Sequence, residues 1–129
     1  MKKSLDLAAP ILTALLLLGF AVLALRGLLD PQGASARFGT AVSDSPGALF
    51  YKVYLSRNLV IVIAGAALLF LRMWKALAIL ISATALLPIF DMAVLSQSGV
   101  TPPAFHAIAL VLLALAAALL WRRARLSAV

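Results

Sequence analysis

Four residues carry most of the chemistry this sequence offers: Arg57, Asn58, Asp91 and His106. An arginine can grip a carboxylate or an anionic oxygen through a planar, directional fork. An aspartate and a histidine can pass a proton between themselves and a substrate near neutral pH. Arg57 and Asp91 are the expected pair, with His106 able to join through either ring nitrogen. Tyr54, one turn before Asn58, and Arg37, in the preceding loop, complete the candidate ligand-binding set. If the chain is an enzyme, Asp91 and His106 are its candidate catalytic groups. The absence of cysteine excludes disulfides, thiolate nucleophiles and thiolate metal sites. One histidine and four aspartates are too few for a metal centre built from protein ligands alone, and nothing points to a cofactor.

The elements that must position these residues follow from composition. Hydrophobic residues make up 65% of the chain and charged ones 12%, whereas a soluble domain has roughly 45–50% apolar residues. A compact domain of this size leaves about a third of its unfolded surface in water, and the chain has little polar material to cover it. Lipid is the matching solvent. Leu7 to Leu25 is an uncharged run of 19 residues, close to the roughly 20 that cross a hydrocarbon core. Lys2, Lys3 and the later Ala34-Ser35-Ala36 resemble a signal peptide with its cleavage site, but the run is long and Arg26, Asp30 and Pro31 intervene, so it reads as a retained anchor.

The other three spans reach membrane length only by including a polar residue near one end. The second must take in Arg57, the third Asp91 and the fourth His106. The expected fold is all-α, a single four-transmembrane-helix domain with spans at about 7–28, 53–71, 75–95 and 104–121 and a long outer loop between helices 1 and 2. Pro88, one turn before Asp91, predicts a kink in the third span beside these groups. Small residues that let helices approach occur as the block Ala64–Ala67, as Ala78 with Ser82 and as Ala114 with Ala118, which mark packing faces and leave a homo-oligomer open.

Charge sets the direction. Lys2, Lys3, Arg72, Lys75, Arg122, Arg123 and Arg125 fall on the side of the termini, and Arg26, Arg37, Lys52 and Arg57 on the other. The positive-inside rule then makes both termini cytoplasmic, with Trp74 and Trp121 at the inner interface. The net charge of +7 is thereby explained by membrane orientation, and the scattered cations make no stripe for nucleic acid.

Every span thus delivers a polar group to one end of the bundle, while the other half is aliphatic. A charge within hydrocarbon costs about 2.5–3.5 kcal/mol on insertion scales, so such groups turn inward and find partners. The plainer readings stand beside this one: Arg57 and Asp91 as a structural clasp, Arg26 and Lys52 snorkelling to the interface, Tyr51 and Tyr54 as belt aromatics. The loop from Leu29 to about Ala48 has content of its own. Asp30-Pro31 ends the first span, a short helix through Ala34 to Phe38 closes at Gly39, and Ser45-Pro46-Gly47 marks a turn. With Phe38 as an apolar anchor it is either a lid over the polar cluster or a passive connector.

The proline after span one, Ser35-Ala36-Arg37-Phe38-Gly39, Tyr54-Leu55-Ser56-Arg57-Asn58 opening span two, and Asp91 late in span three together resemble a bacterial domain-of-unknown-function family of small four-helix integral membrane proteins, distantly DoxX-like. The family pattern often opens span two with Gly-x-Arg-Asp, whereas Asn58 stands here where that pattern has the acid, so no acid/base role carries over to that position. The resemblance implies the fold, the importance of Arg57 and Asp91, and a bacterial inner-membrane location, but no activity. Three functions remain in view: a non-enzymatic protein whose outward polar pocket binds a small amphipathic ligand, a lipid or a membrane partner; an acid/base isomerase, cyclase or hydrolase of a lipophilic substrate; and an ion-coupled carrier.

Overall fold

The computed structural model describes residues 2–126, with side chains from Leu7 onward. The side chains of Lys2 and Lys3, counted above on the terminal side, lie outside the described residues. The described residues form six helices: α1 Lys2–Leu29, α2 Pro31–Phe38, α3 Ser45–Phe70, α4 Trp74–Thr84, α5 Leu86–Gln97 and α6 Ala104–Leu126. Among the same residues four stretches are long and apolar enough to cross a membrane: Leu7–Leu29, Ser45–Phe70, Trp74–Gln97 and Ala104–Leu126. The third consists of α4 and α5 in series. Their outer faces carry large apolar side chains in quantity, with Leu15, Leu18, Ile63 and Val111 each more than 60% exposed. Water would not tolerate so continuous an apolar surface, and lipid requires it.

The second span starts earlier than expected because capping extends it. Asp44 accepts a hydrogen bond from the Gly47 amide at 2.8 Å, and Pro46 sits in the first turn, where its missing N–H costs nothing. Ser45-Pro46-Gly47 is therefore the first turn of α3 and not a loop turn. Asp30 likewise accepts from the Gly33 amide at 2.9 Å, so α2 starts at Pro31, before Ala34. It ends, as expected, at Gly39, whose φ of 127° is a conformation that L side chains rarely adopt.

α1 packs against α3 and α6, and α4 packs against α3 and α6. The core lies where α1, α4 and α6 meet: Ala9 with Leu77, Ala78 and Ile81 of α4 and Leu113, Ala116, Ala117 and Leu120 of α6. Its α6 members follow an i, i+3, i+4, i+7 row. Ala114 and Ala118 lie off that row and face outward, so the expectation that they pack the fourth span inside the bundle is corrected. In the Ala64–Ala67 block only Gly65 is buried. Leucine and alanine together fill the α6 interface, which leaves no need for a paired-alanine contact.

The close approach is between α1 and α3. A methyl group placed on Gly65 would sit 2.7 Å from Leu17 Cδ2, and one on Gly27 would collide with Leu55 Cδ1. Ala78 is buried as expected. Its carbonyl accepts from the Ser82 hydroxyl at 2.7 Å, and that hydroxyl in turn accepts from Trp121 Nε1 at 3.1 Å, joining α4 to α6.

The expected kink in the third span falls at Ala85, between α4 and α5. Pro88 has no N–H for the Thr84 carbonyl, and its ring crowds that oxygen. Across the break the neighbours change: α4 contacts both α3 and α6, whereas α5 contacts α6 and not α3. The outer ends of α3 and α5 are therefore separated.

Replacing Gly27 with leucine should lower unfolding stability in detergent by about 1–3 kcal/mol through overpacking. Gly19→Leu should be close to neutral, because nothing lies within 4 Å of a Cβ there. Denaturant titration followed by circular dichroism compares the two.

Candidate functional site

Where α3 and α5 part, the loop helix α2 bridges them. Its last residue, Phe38, makes an edge-on ring contact with Tyr54 of α3 at 6.2 Å and another with His106 of α6 at 4.9 Å. The next residue, Gly39, approaches Leu95 of α5 and Pro103 before α6. α2 is thus a lid seated over the non-terminal end of the bundle. Ser35 ties it to the loop that follows. Its hydroxyl, 1% exposed, donates to the Gln32 carbonyl and accepts from the Val42 amide, both at 3.0 Å.

Beneath the lid lies His106, 2% exposed in the first turn of α6. Nε2 is 3.2 Å from the Phe38 carbonyl oxygen, and Nδ1 is 3.6 Å from Asp91 Oδ2. A carbonyl oxygen only accepts, so Nε2 carries a hydrogen. Nδ1, the other ring nitrogen, faces the Asp91 carboxyl. The ring is also flanked by Phe105 at 4.1 Å. Asp91 is half-buried and within electrostatic reach of Tyr54, which lies one turn before Asn58 on α3. Tyr51 stacks on Tyr54 from the other side at 6.1 Å. The arrangement can present an imidazole, a carboxyl and a phenol at one end of the bundle, with Phe38 against the imidazole and the phenol.

Sequence reasoning expected Arg57 to pair with Asp91, and here the structure differs. Arg57 is exposed, and the Asp91 partner is His106. Beyond the Pro88 break α5 and its aspartate pack on α6 and not on α3. Arg37 also stands apart, on the outward side of α2, where it lines a shallow recess with Arg26, Leu29, Asp30 and Ala34. Of the expected set, Asp91, His106, Tyr54 and Asn58 come together. Two participants went unforeseen: Ser35 and the Phe38 backbone carbonyl. Phe38 was visible as an apolar anchor, but no residue type announces a backbone acceptor. Asp91 and His106 offer a metal two donors, and no third histidine, cysteine or acidic residue joins them among the described residues.

Replacing Ser35 with alanine strands the Val42 amide, at a cost of about 1 kcal/mol. Hydrogen exchange at Val42 and in the last turn of α2 should accelerate about five-fold, while exchange in the α4 and α6 core stays unchanged. Mass spectrometry of exchange in detergent reads both.

No curated protein and no solved structure matches the chain. These comparisons therefore do not show the expected distant likeness to DoxX-like proteins. A family model does match, from residue 17 to residue 120, and it takes in the second and third spans, most of the first and fourth, the lid and the His106–Asp91 contact. The chain belongs to the family described as a domain of unknown function, DUF4267.

Proposed function

We propose that this membrane protein binds a small amphipathic ligand at its lidded end, with the ligand's polar head at Asp91 and His106 and its apolar part between α3 and α5. One observation carries the reading: a buried histidine held between a half-buried carboxyl and the carbonyl of a lid residue. A helix clasp alone would need no aromatic cover, whereas a binding site needs a displaceable one. Lifting Phe38 frees the Nε2 hydrogen for a ligand acceptor, and the separation of α3 from α5 gives an apolar tail a sideways path from lipid. Asn58 and Tyr54 line that path, and exposed Arg57 stands at its rim to meet an anionic head. The cationic end, with Arg72, Lys75, Arg122, Arg123 and Arg125, faces the cytoplasm by the positive-inside rule. The lidded site then faces outward from a bacterial inner membrane.

The contact between the Asp91 carboxyl and the His106 ring also favours a second reading, an acid/base enzyme acting on a lipophilic substrate as isomerase, cyclase or hydrolase. There the pair moves a proton to or from the substrate while Arg57 steadies a developing negative oxygen. An ion-coupled carrier gains less support. The buried hydroxyls of Thr13 and Thr84 are turned back onto the carbonyls of Ala9 and Leu80 in their own helices, which leaves no polar relay across the core.

Native mass spectrometry of protein extracted with its own membrane lipids tests the binding reading. A bound small molecule should be present in the wild type and weakened at least about ten-fold in Asp91→Ala and His106→Ala, the scale of one charge-assisted hydrogen bond. Retention of the same molecule by both folded variants overturns the site.

A further inference from the structure

At the terminal end of the bundle the balance of charge is incomplete. The described carboxylates Asp30, Asp44 and Asp91 all belong to the lidded half, in or beside α2, α3 and α5. Over the whole sequence the terminal side holds seven Lys and Arg residues, named above, against one acidic side chain, Asp6. Arg123 folds back, its guanidinium 4.2 Å from the centre of the Trp74 ring. Arg122 and Arg125 do not. They are exposed, three residues apart on one face of α6, and among the described residues neither has an ion-pair partner.

These two arginines line a recess with Ala118, Trp121 and Leu126. Trp121 is a fixed wall, because its indole N–H is bonded to Ser82. Ala118, one turn before Arg122, leaves a shallow apolar floor, which continues along the same face through Ala114 to Val111, all exposed. Two cations at the end of a span, above a small-residue trough that runs into hydrocarbon, match a molecule with a phosphate at its head and an acyl chain below.

We infer that this recess is a binding site for an anionic phospholipid, with its phosphate between Arg122 and Arg125 and one acyl chain along Ala118 and Ala114. The lipid supplies the negative charge that this end of the protein lacks, and guanidinium forks suit phosphate oxygens. The outward-facing pair Ala114 and Ala118 then serves a lipid contact and not a helix contact.

Full-length protein in detergent, titrated with phosphatidylglycerol or with phosphatidylcholine of the same chains, tests this by native mass spectrometry. The wild type should hold one phosphatidylglycerol more tightly than phosphatidylcholine. In Arg122→Gln/Arg125→Gln that preference should fall ~30-fold, from about 1 kcal/mol for each arginine near the headgroups. Arg26→Gln/Arg37→Gln, at the opposite recess, should leave it unchanged. Ala118→Phe, which fills the floor at a site outside the packed core, should also weaken binding with both arginines present. Equal binding of the two lipids by the wild type, or an undiminished preference in the Arg122/Arg125 variant, overturns the proposal. Displacement of the lipid by millimolar inorganic phosphate overturns it too, since the site would then recognise a free anion.

Discussion

A backbone amide inside hydrocarbon has no water to bond to, and each unsatisfied one costs several kcal/mol. Helices that close their own hydrogen bonds are the response throughout this protein, and the polar side chains within them obey the same constraint. Thr13, Ser56, Ser82, Thr84 and Ser98 all donate to carbonyls three or four residues earlier. Against that background Pro88 has a disproportionate effect. It leaves the Thr84 carbonyl without its usual donor and divides the third span at Ala85, beyond which α5 keeps α6 as a neighbour and no longer contacts α3. Bundle packing then leaves α3 and α5 apart where α2 lodges, and Asp91 meets His106.

The bundle consequently has two unlike ends. Near the termini, alanine and leucine close the core between α1, α4 and α6, and Trp74 and Trp121 fix the helix ends through a cation–π contact and a hydrogen bond. At the other end the packing is interrupted, and a short helix takes over the role that side chains from α3 and α5 would otherwise fill. That helix is held by groups of its own: Asp30 at its start, Gly39 at its end and the Ser35 hydroxyl across to Val42. A separately stabilised lid can move without unravelling the spans, since few of its bonds are shared with them. The Phe38 carbonyl is the exception, so the histidine both completes the site and fastens its cover.

Much of this was legible in residue types. Four spans are a matter of apolar run length, and the end that would hold Arg57, Asp91 and His106 follows from where those residues interrupt the runs. Pro88 announced its kink, and Asp30-Pro31 and Gly39 announced the bounds of a short helix. Asp44 is also a readable cap, yet the residues after it look like a turn, because a Ser-Pro-Gly sequence fits a turn and a first helical turn equally well.

The chain by itself determined its solvent, its number of spans and the polar character of one end, since these depend on composition and local order. Only the tertiary structure decided who meets whom. Arg57 and Asp91 have the right types and depth to pair, but the angle between α3 and α5 is set by packing across the whole bundle, and it gives the aspartate to His106. Ala114 and Ala118 have interface spacing, but the rotation of α6 about its axis turns Leu113 and Ala117 inward in their place. The hydrogen bond from His106 to the Phe38 backbone joins residues 68 apart. A carbonyl common to every residue becomes a partner there only because the fold brings it to the ring.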